Sequence, residues 1–260
     1  MTILRLVLPQ LPDVQYLQGQ GFVCRSIPAG LPPGLGTEHV GEGSLVASPA
    51  HLEIGTERIH LWRLAPDALP DAAEAAALCD AAASALGLVL EPIDPECWQL
   101  REGAPGELEA VSLPAMQGQS IGPCMPEPRS WHRLMNEIQI LWHEHEVNRA
   151  REEGGRPSVN ALWFWRLPQA ADHAPSVGSD DPLVCRMFGL EPLPLTAGAW
   201  PEPLPDWLVP SPLQAESWAE GALRDLEHGQ LQRVLLATPM QEALELRRKR
   251  RWFRPWWRRK

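Results

Sequence analysis

Residues 131–166 read WHRLMNEIQILWHEHEVNRAREEGGRPSVNALWFWR. Trp131, Leu134, Met135, Ile138, Leu141 and Trp142 recur at the spacing of one helix face. That predicts an amphipathic helix from Trp131 to about Glu153 with those side chains inward, bent near His145. Ser130 is placed to cap it. Gly154-Gly155 ends the helix, Arg156-Pro157 turns the chain, and Val159 to Trp165 is apolar enough for a buried strand. Helix, tight turn and strand in this order make an α/β unit, and Trp131, Trp142, Trp163 and Trp165 read as its core.

On the N-terminal side, Ile3 to Leu8 predicts a strand ended by Pro9 and Pro12, and residues 28–44, rich in Gly and Pro, a loop. Leu45 to Ala47 and Arg58 to Leu64 predict two strands, joined by a hairpin through Glu53-Ile54-Gly55-Thr56. Asp71 to Leu86 is an alanine-rich helix stopped by Gly87. Leu88 to Ile93, Cys97 to Leu100 and Leu108 to Leu113 follow as an expected antiparallel meander. On the C-terminal side, residues 169–181 read as polar loop, and Leu183 to Leu190 as either strand or short helix. Residues 191–210 are proline-rich and are expected on the surface. A third helix, capped by Ser211 with Pro212 at its first position, ends at Gly229, and Leu231 to Ala237 is the last core strand. The order implies an α/β fold with a mixed sheet flanked by helices, one domain over residues 1–246, and a separate tail over 247–260.

The net charge of −10 is unevenly spread. Nine of the 23 basic groups and none of the 33 acidic ones lie in residues 247–260, leaving the body at −19. An acidic body repels nucleic acid and anionic membrane, and the tail attracts both. In the tail, Arg250, Arg251, Trp252, Arg254, Trp256, Trp257 and Arg258 interleave cations with indoles. That pattern suits an anionic membrane surface, or nucleic acid through stacking and phosphate contact. The alternatives are a solubilising tail, one that folds back on the acidic body, or a contact for a protein partner. The five cysteines are scattered, without a Cys-x-x-Cys pair, so reduced thiols and no disulfide-linked partner are expected. The first nine residues carry too short an apolar run for a signal peptide, and no stretch reaches the ~20 apolar residues of a membrane span. The expected location is cytoplasmic.

The opening block also carries a resemblance. Asn136, Glu137 and Gln139 form an Asn-Glu-x-Gln helix; His143, His145, Val147 and Asn148 a His-x-His-x-Val-Asn turn. Arg151, Glu152 and Gly155 form an Arg-Glu-x-x-Gly step; Pro157, Val159, Asn160, Leu162 and Trp163 a Pro-x-Val-Asn-x-Leu-Trp strand. Together these resemble the RpfE-type regulatory proteins, and the likeness covers most of residues 1–246. The block is also similar to part of the archaeal-type cofactor-independent phosphoglycerate mutases of the alkaline phosphatase superfamily. The resemblance implies a reduced fold of that kind. It would bring a two-metal centre with a Ser or Thr nucleophile if the chemistry were retained. The first strand should then end in an acidic ligand, but it runs Leu8-Pro9-Gln10 and the first acid is Asp13. Asp172-His173 lacks the threonine of the related metal motif. His143 and His145 stand two apart, which puts them on different helix faces, not the i, i+4 of metal-binding helices. No metal or cofactor is expected.

Asn136, Gln139 and His143 share a helix face, and with Asn148, Arg151, Asn160 and Arg166 they could line a pocket for a small phosphorylated or carboxylated metabolite. The alternative is that these polar groups bond to neighbouring loops. The nearby arginines suit an anion or salt bridges to Glu137, Glu144, Glu152 and Glu153. The expected function is therefore a non-catalytic regulatory protein with a small-anion pocket. An active mutase-like phosphotransferase is the first alternative. A peripheral scaffold acting through the tail is the second.

Overall fold

The computed structural model describes residues 3–167, 176–193, 199–240 and 242–249. From the N-terminus, strand β1 (Ile3–Val7) leads through helix α1 (Val14–Gly19) to β2 (Phe22–Pro28). The antiparallel strands β3 (Ser44–Ile54) and β4 (Ile59–Arg63) follow, then helix α2 (Ala72–Leu86) and the hairpin β5 (Val89–Asp94) and β6 (Cys97–Glu102). A short helix α3 (Leu113–Met116) and strand β7 (Gln119–Ser120) precede helices α4 (Ser130–His143) and α5 (Glu146–Glu153) and strand β8 (Ala161–Leu167). The chain closes with β9 (Val177–Ser179), α6 (Pro182–Phe188), β10 (Trp207–Val209), α7 (Ala215–His228), β11 (Arg233–Ala237) and β12 (Glu242–Arg248).

The mixed, helix-flanked β structure is present, and it is divided between two sheets in two compact units. One unit gathers the described residues of Met1–Gly30, Pro175–Asp180 and Leu193–Lys260; the other holds those of Leu31–Ala174 and Asp181–Pro192. In the first, the strand order is β2-β12-β11-β1-β10-β9. β11, β1, β10 and β9 are parallel; β12 runs antiparallel to β11, and β2 runs antiparallel to β12 and so in the same direction as the parallel strands. Leu4, Leu6, Val234, Leu236, Leu244 and Leu246 alternate onto one face, against Trp218, Ala222 and Leu226 of α7.

In the second unit, β3 is the organising strand. Its eleven residues pair with β4 and β6 and, from Ser44 to Ala50, with β8. Ala161 to Trp165 are buried in succession, as in a strand covered on both faces. Trp131, Trp142, Trp163 and Trp165 are fully buried, as their spacing implies. Their indole N–H groups find Glu107 O, Leu78 O, Val111 O and Ser48 Oγ at 2.8–3.2 Å, so burial leaves none of these donors unpaired.

Several expectations are corrected. Leu108 to Leu113 is not a strand; it makes only isolated bridges before α3. Ser130 does not cap α4, because Arg129 is already helical and takes the cap position. The long helix breaks at Glu144–His145 into α4 and α5, and His145 Nδ1 caps the second by accepting from Val147 N at 3.2 Å. Likewise α7 starts after Gln214, with Ser211 in the preceding turn. Residues 182–188 are helical, with the Asp181 side chain accepting from Leu183 N and Val184 N. The line drawn between residues 246 and 247 falls inside β12, where Arg247 and Arg248 pair with Val23 and Phe22. Residues Arg250, Arg251, Trp252, Arg254, Trp256, Trp257 and Arg258 lie outside the described residues, as do Asp172 and His173.

Candidate functional site

The conspicuous polar residues fall into three groups. The first is the corner where α5 turns into β8. Asn148 Nδ2 donates to Trp142 O at 2.8 Å and Val159 O at 2.9 Å, and its Oδ1 accepts from Val159 N at 2.8 Å. One amide thus satisfies main-chain groups at the end of α4 and at the entry to β8, which is why an Asn sits there fully buried. Arg151, 1% exposed, donates from all three guanidinium nitrogens: Nε to Pro157 O at 2.9 Å, Nη1 to Glu74 Oε2 at 2.7 Å, and Nη2 to Ala68 O. Glu74 also takes Arg156 Nη1 at 3.0 Å, and it closes the capping box of α2 by accepting from Asp71 N at 3.1 Å. Burial pulls the Arg151 pKa below the ordinary guanidinium value, and Glu74 opposes that pull.

Asn160 and Arg166 are committed in the same way. Asn160 reaches across to β3, accepting from Leu52 N at 2.6 Å and donating to Leu52 O at 3.0 Å, and so extends the β3–β8 ladder with a side chain. Arg166 donates to Leu108 O at 3.1 Å and Gly43 O at 2.9 Å. Asn136, Gln139 and His143 share the outer face of α4. Asn136 and His143 are exposed, Gln139 is half-buried, and none of the three side chains hydrogen-bonds to another described residue. The structure therefore brings Asn148 and Arg151 into one corner, and leaves Asn136, Gln139 and His143 as a separate solvent-facing row.

A second group went unread in the sequence. Arg63 donates to Asp181 Oδ2 at 2.5 Å and Oδ1 at 3.0 Å, and to Glu96 Oε1 at 3.0 Å. Asp94 pairs with Arg186 and accepts from the backbone of Glu96 at 2.7 Å and of Cys97 at 2.8 Å. This cluster pins α6 to β4 and the β5–β6 hairpin. Burial alone would lower the Arg63 pKa, but Asp181 and Glu96 outweigh it and raise the value. Burial raises Glu96 despite Arg63, with Asp181 and Asp94 adding repulsion. The geometry of two bidentate contacts favours the charged pair. The partners lie 33 and 118 residues apart, so no local spacing announces them.

The third group lies at the carboxyl ends of the parallel strands, where open α/β sheets commonly hold ligands. Asp180, after β9, accepts from Ser211 N at 2.6 Å and Ser211 Oγ at 3.0 Å, after β10. β1 leaves through Leu8-Pro9-Gln10 without an acid, and Asp13 caps α1 by accepting from Tyr16 N at 2.7 Å. His51 does not belong to this group: it lies on β3 of the second unit, with Nδ1 2.9 Å from Ser158 O. Among the described residues no three His, Cys, Asp or Glu side chains converge as a metal site would require, so the described donor set does not fit a two-metal centre.

The five cysteines are free thiols, with no disulfide between them. Burial pushes the thiols of Cys79 and Cys97 up to about 11, which keeps them protonated and poorly nucleophilic. No helix among the described residues is long and apolar enough to cross a membrane.

No family model and no curated protein matches the chain. Among solved structures, it is distantly similar to the cofactor-independent phosphoglycerate mutase from Thermoplasma acidophilum. Identity is 14% and the TM-score 0.35, over 94% of this chain and 88% of that one. It is similar to the same degree to the PH0037 protein from Pyrococcus horikoshii, with 11% identity and a TM-score of 0.36, over 94% of this chain and 86% of that one.

Proposed function

We propose that the chain is a non-catalytic regulatory protein of the RpfE type, in which the polar block of residues 136–166 fastens the fold and is not a reaction centre. The observation that supports this most directly is Arg151. A guanidinium that holds a substrate anion needs donors facing a cavity, whereas each nitrogen of Arg151 already has a protein acceptor. Asn148 and Asn160 are bonded to the main chain in the same way. In this reading a small phosphorylated or carboxylated anion is not held at the α5–β8 corner, and regulation runs through contacts at the surface.

The test is turnover of 3-phosphoglycerate and of p-nitrophenyl phosphate by the full chain, before and after addition of manganese or zinc. The expected result is no hydrolysis or transfer above buffer, and no thermal stabilisation by 3-phosphoglycerate. Metal-dependent turnover that disappears in Asp180→Asn or Ser211→Ala would overturn the proposal and place chemistry at the carboxyl edge of the parallel sheet.

A further inference from the structure

The face of the β3–β4 hairpin that carries alternate residues presents a different kind of polar group. The register pairs His51 with Trp62 and Glu53 with His60, and by strand alternation these four side chains share one face. Trp62 is 38% exposed, unlike the buried tryptophans of the same unit. Its indole is held at both ends. Nε1 donates to Glu53 Oε2 at 2.8 Å, across the strand pair. At the other end, the benzo edge closes on Gly118, where an added Cβ would come within 3.2 Å of Cη2 and Cζ3. Gly118 also has φ +70°, so the backbone and the ring together call for glycine there. The ring therefore lies across its own strand in a fixed position, with part of its surface toward solvent.

Glu53 is exposed, and the indole occupies only one of its two oxygens. An electron-rich ring face beside a carboxylate oxygen with spare acceptor capacity is the arrangement that receives a guanidinium: the plane stacks on the ring and its N–H edge meets the carboxylate. Among the described residues no cation is stacked on Trp62. The net charge of −19 over residues 1–246 favours the approach of a cation and disfavours a nucleobase carried on phosphates. We infer that Trp62 and Glu53 form a preorganised docking point for an arginine side chain of a cationic peptide or protein segment.

Fluorescence anisotropy of a labelled Gly-Arg-Gly-Arg-Gly peptide with the full chain, at about 50 mM salt so that charge effects are not screened out, tests this. Four proteins are compared: the natural chain, Glu53→Gln, Trp62→Leu, and Glu227→Gln as a remote loss of one acid. Glu53→Gln keeps an acceptor for the indole N–H and so keeps the ring in place. The expected result is binding weakened about fivefold by Glu53→Gln and about tenfold by Trp62→Leu, and unchanged by Glu227→Gln. A peptide with citrulline in place of arginine should bind at least about fivefold more weakly. Equal affinity across all four proteins would mean diffuse attraction to an acidic body and would overturn the inference. So would the absence of binding, equal binding of the citrulline peptide, or preferential binding of a neutral oligosaccharide at Trp62.

Discussion

The α5–β8 corner and the open face of the β3–β4 hairpin both gather polar and aromatic side chains, but they differ in what those side chains have left to give. At the corner, Asn148 and Arg151 are 1% exposed and each is bonded to several main-chain groups or to Glu74. On the hairpin, Trp62 and Glu53 are bonded to each other, yet both remain open to solvent. A buried polar group must be satisfied by the protein or it destabilises the fold, so burial converts binding capacity into structural capacity. Recognition needs the reverse: a group positioned by the protein and still short of a partner.

This contrast can be broken by substitution. The largest effect among single amides should come from Asn148→Ala, which removes the side-chain partner of both main-chain groups of Val159 and one of the donors to Trp142 O; about 2–4 kcal/mol of stability should be lost in urea unfolding. Asn160→Ala, whose side chain is only half-buried, should lose about 1–2 kcal/mol in the same assay. A closed cluster in the first unit extends the argument to pH. Hydrogen bonds from Arg233 and Arg247 hold the Glu245 carboxyl below the usual carboxylate range. A lowered folded-state pKa contributes stability that is present above the unfolded value near about 4.3 and is lost as pH falls through the folded one. Glu245→Gln should therefore be less stable than the natural chain at pH 7 and should flatten its loss of stability on acidification below about pH 4.3, followed by thermal unfolding. The smallest effect belongs to the hairpin face: Glu53→Gln should stay within about 0.5 kcal/mol of the natural chain. A loss as large as that of Asn148→Ala would place Glu53 among the fasteners.

The parts of the fold that were legible are those in which one local pattern decides the element. The apolar stripe of α4, the alanine run of α2 with Asp71 before it and Gly87 at φ +65°, and the unbroken apolar run into β8 all read directly from spacing. What escaped reading depends on distant partners. β10 is three residues between Pro205 and Pro210, and it is a strand because β1 and β9 pair with it on either side. β12 carries Glu245 in the middle of its buried run, a charge that looks wrong for a core strand until Arg233 and Arg247 are beside it. Residues Leu108 to Leu113 have strand composition but no neighbouring strand to continue a ladder beyond single bridges. For the site, spacing correctly placed Asn136, Gln139 and His143 on one helix face, but it could not show that Arg151 folds back onto Glu74, 77 residues away. Arg63, with its partners in the β5–β6 turn and at the N-cap of α6, gave no local sign at all.

The central claim, that the block of residues 136–166 is a fastener, rests on the Arg151–Glu74 pair, and a double-mutant cycle in equilibrium unfolding measures it most directly. Arg151→Met alone should cost about 3–5 kcal/mol, because it takes their guanidinium donor from Ala68 O and Pro157 O and leaves Glu74 with Arg156 as its remaining cation, and pairing it with Glu74→Gln should recover at least about 1 kcal/mol of the summed loss. An Arg151→Met chain as stable as the natural one, in which stabilisation by a phosphorylated anion has disappeared, would contradict the account and make Arg151 a ligand-binding residue.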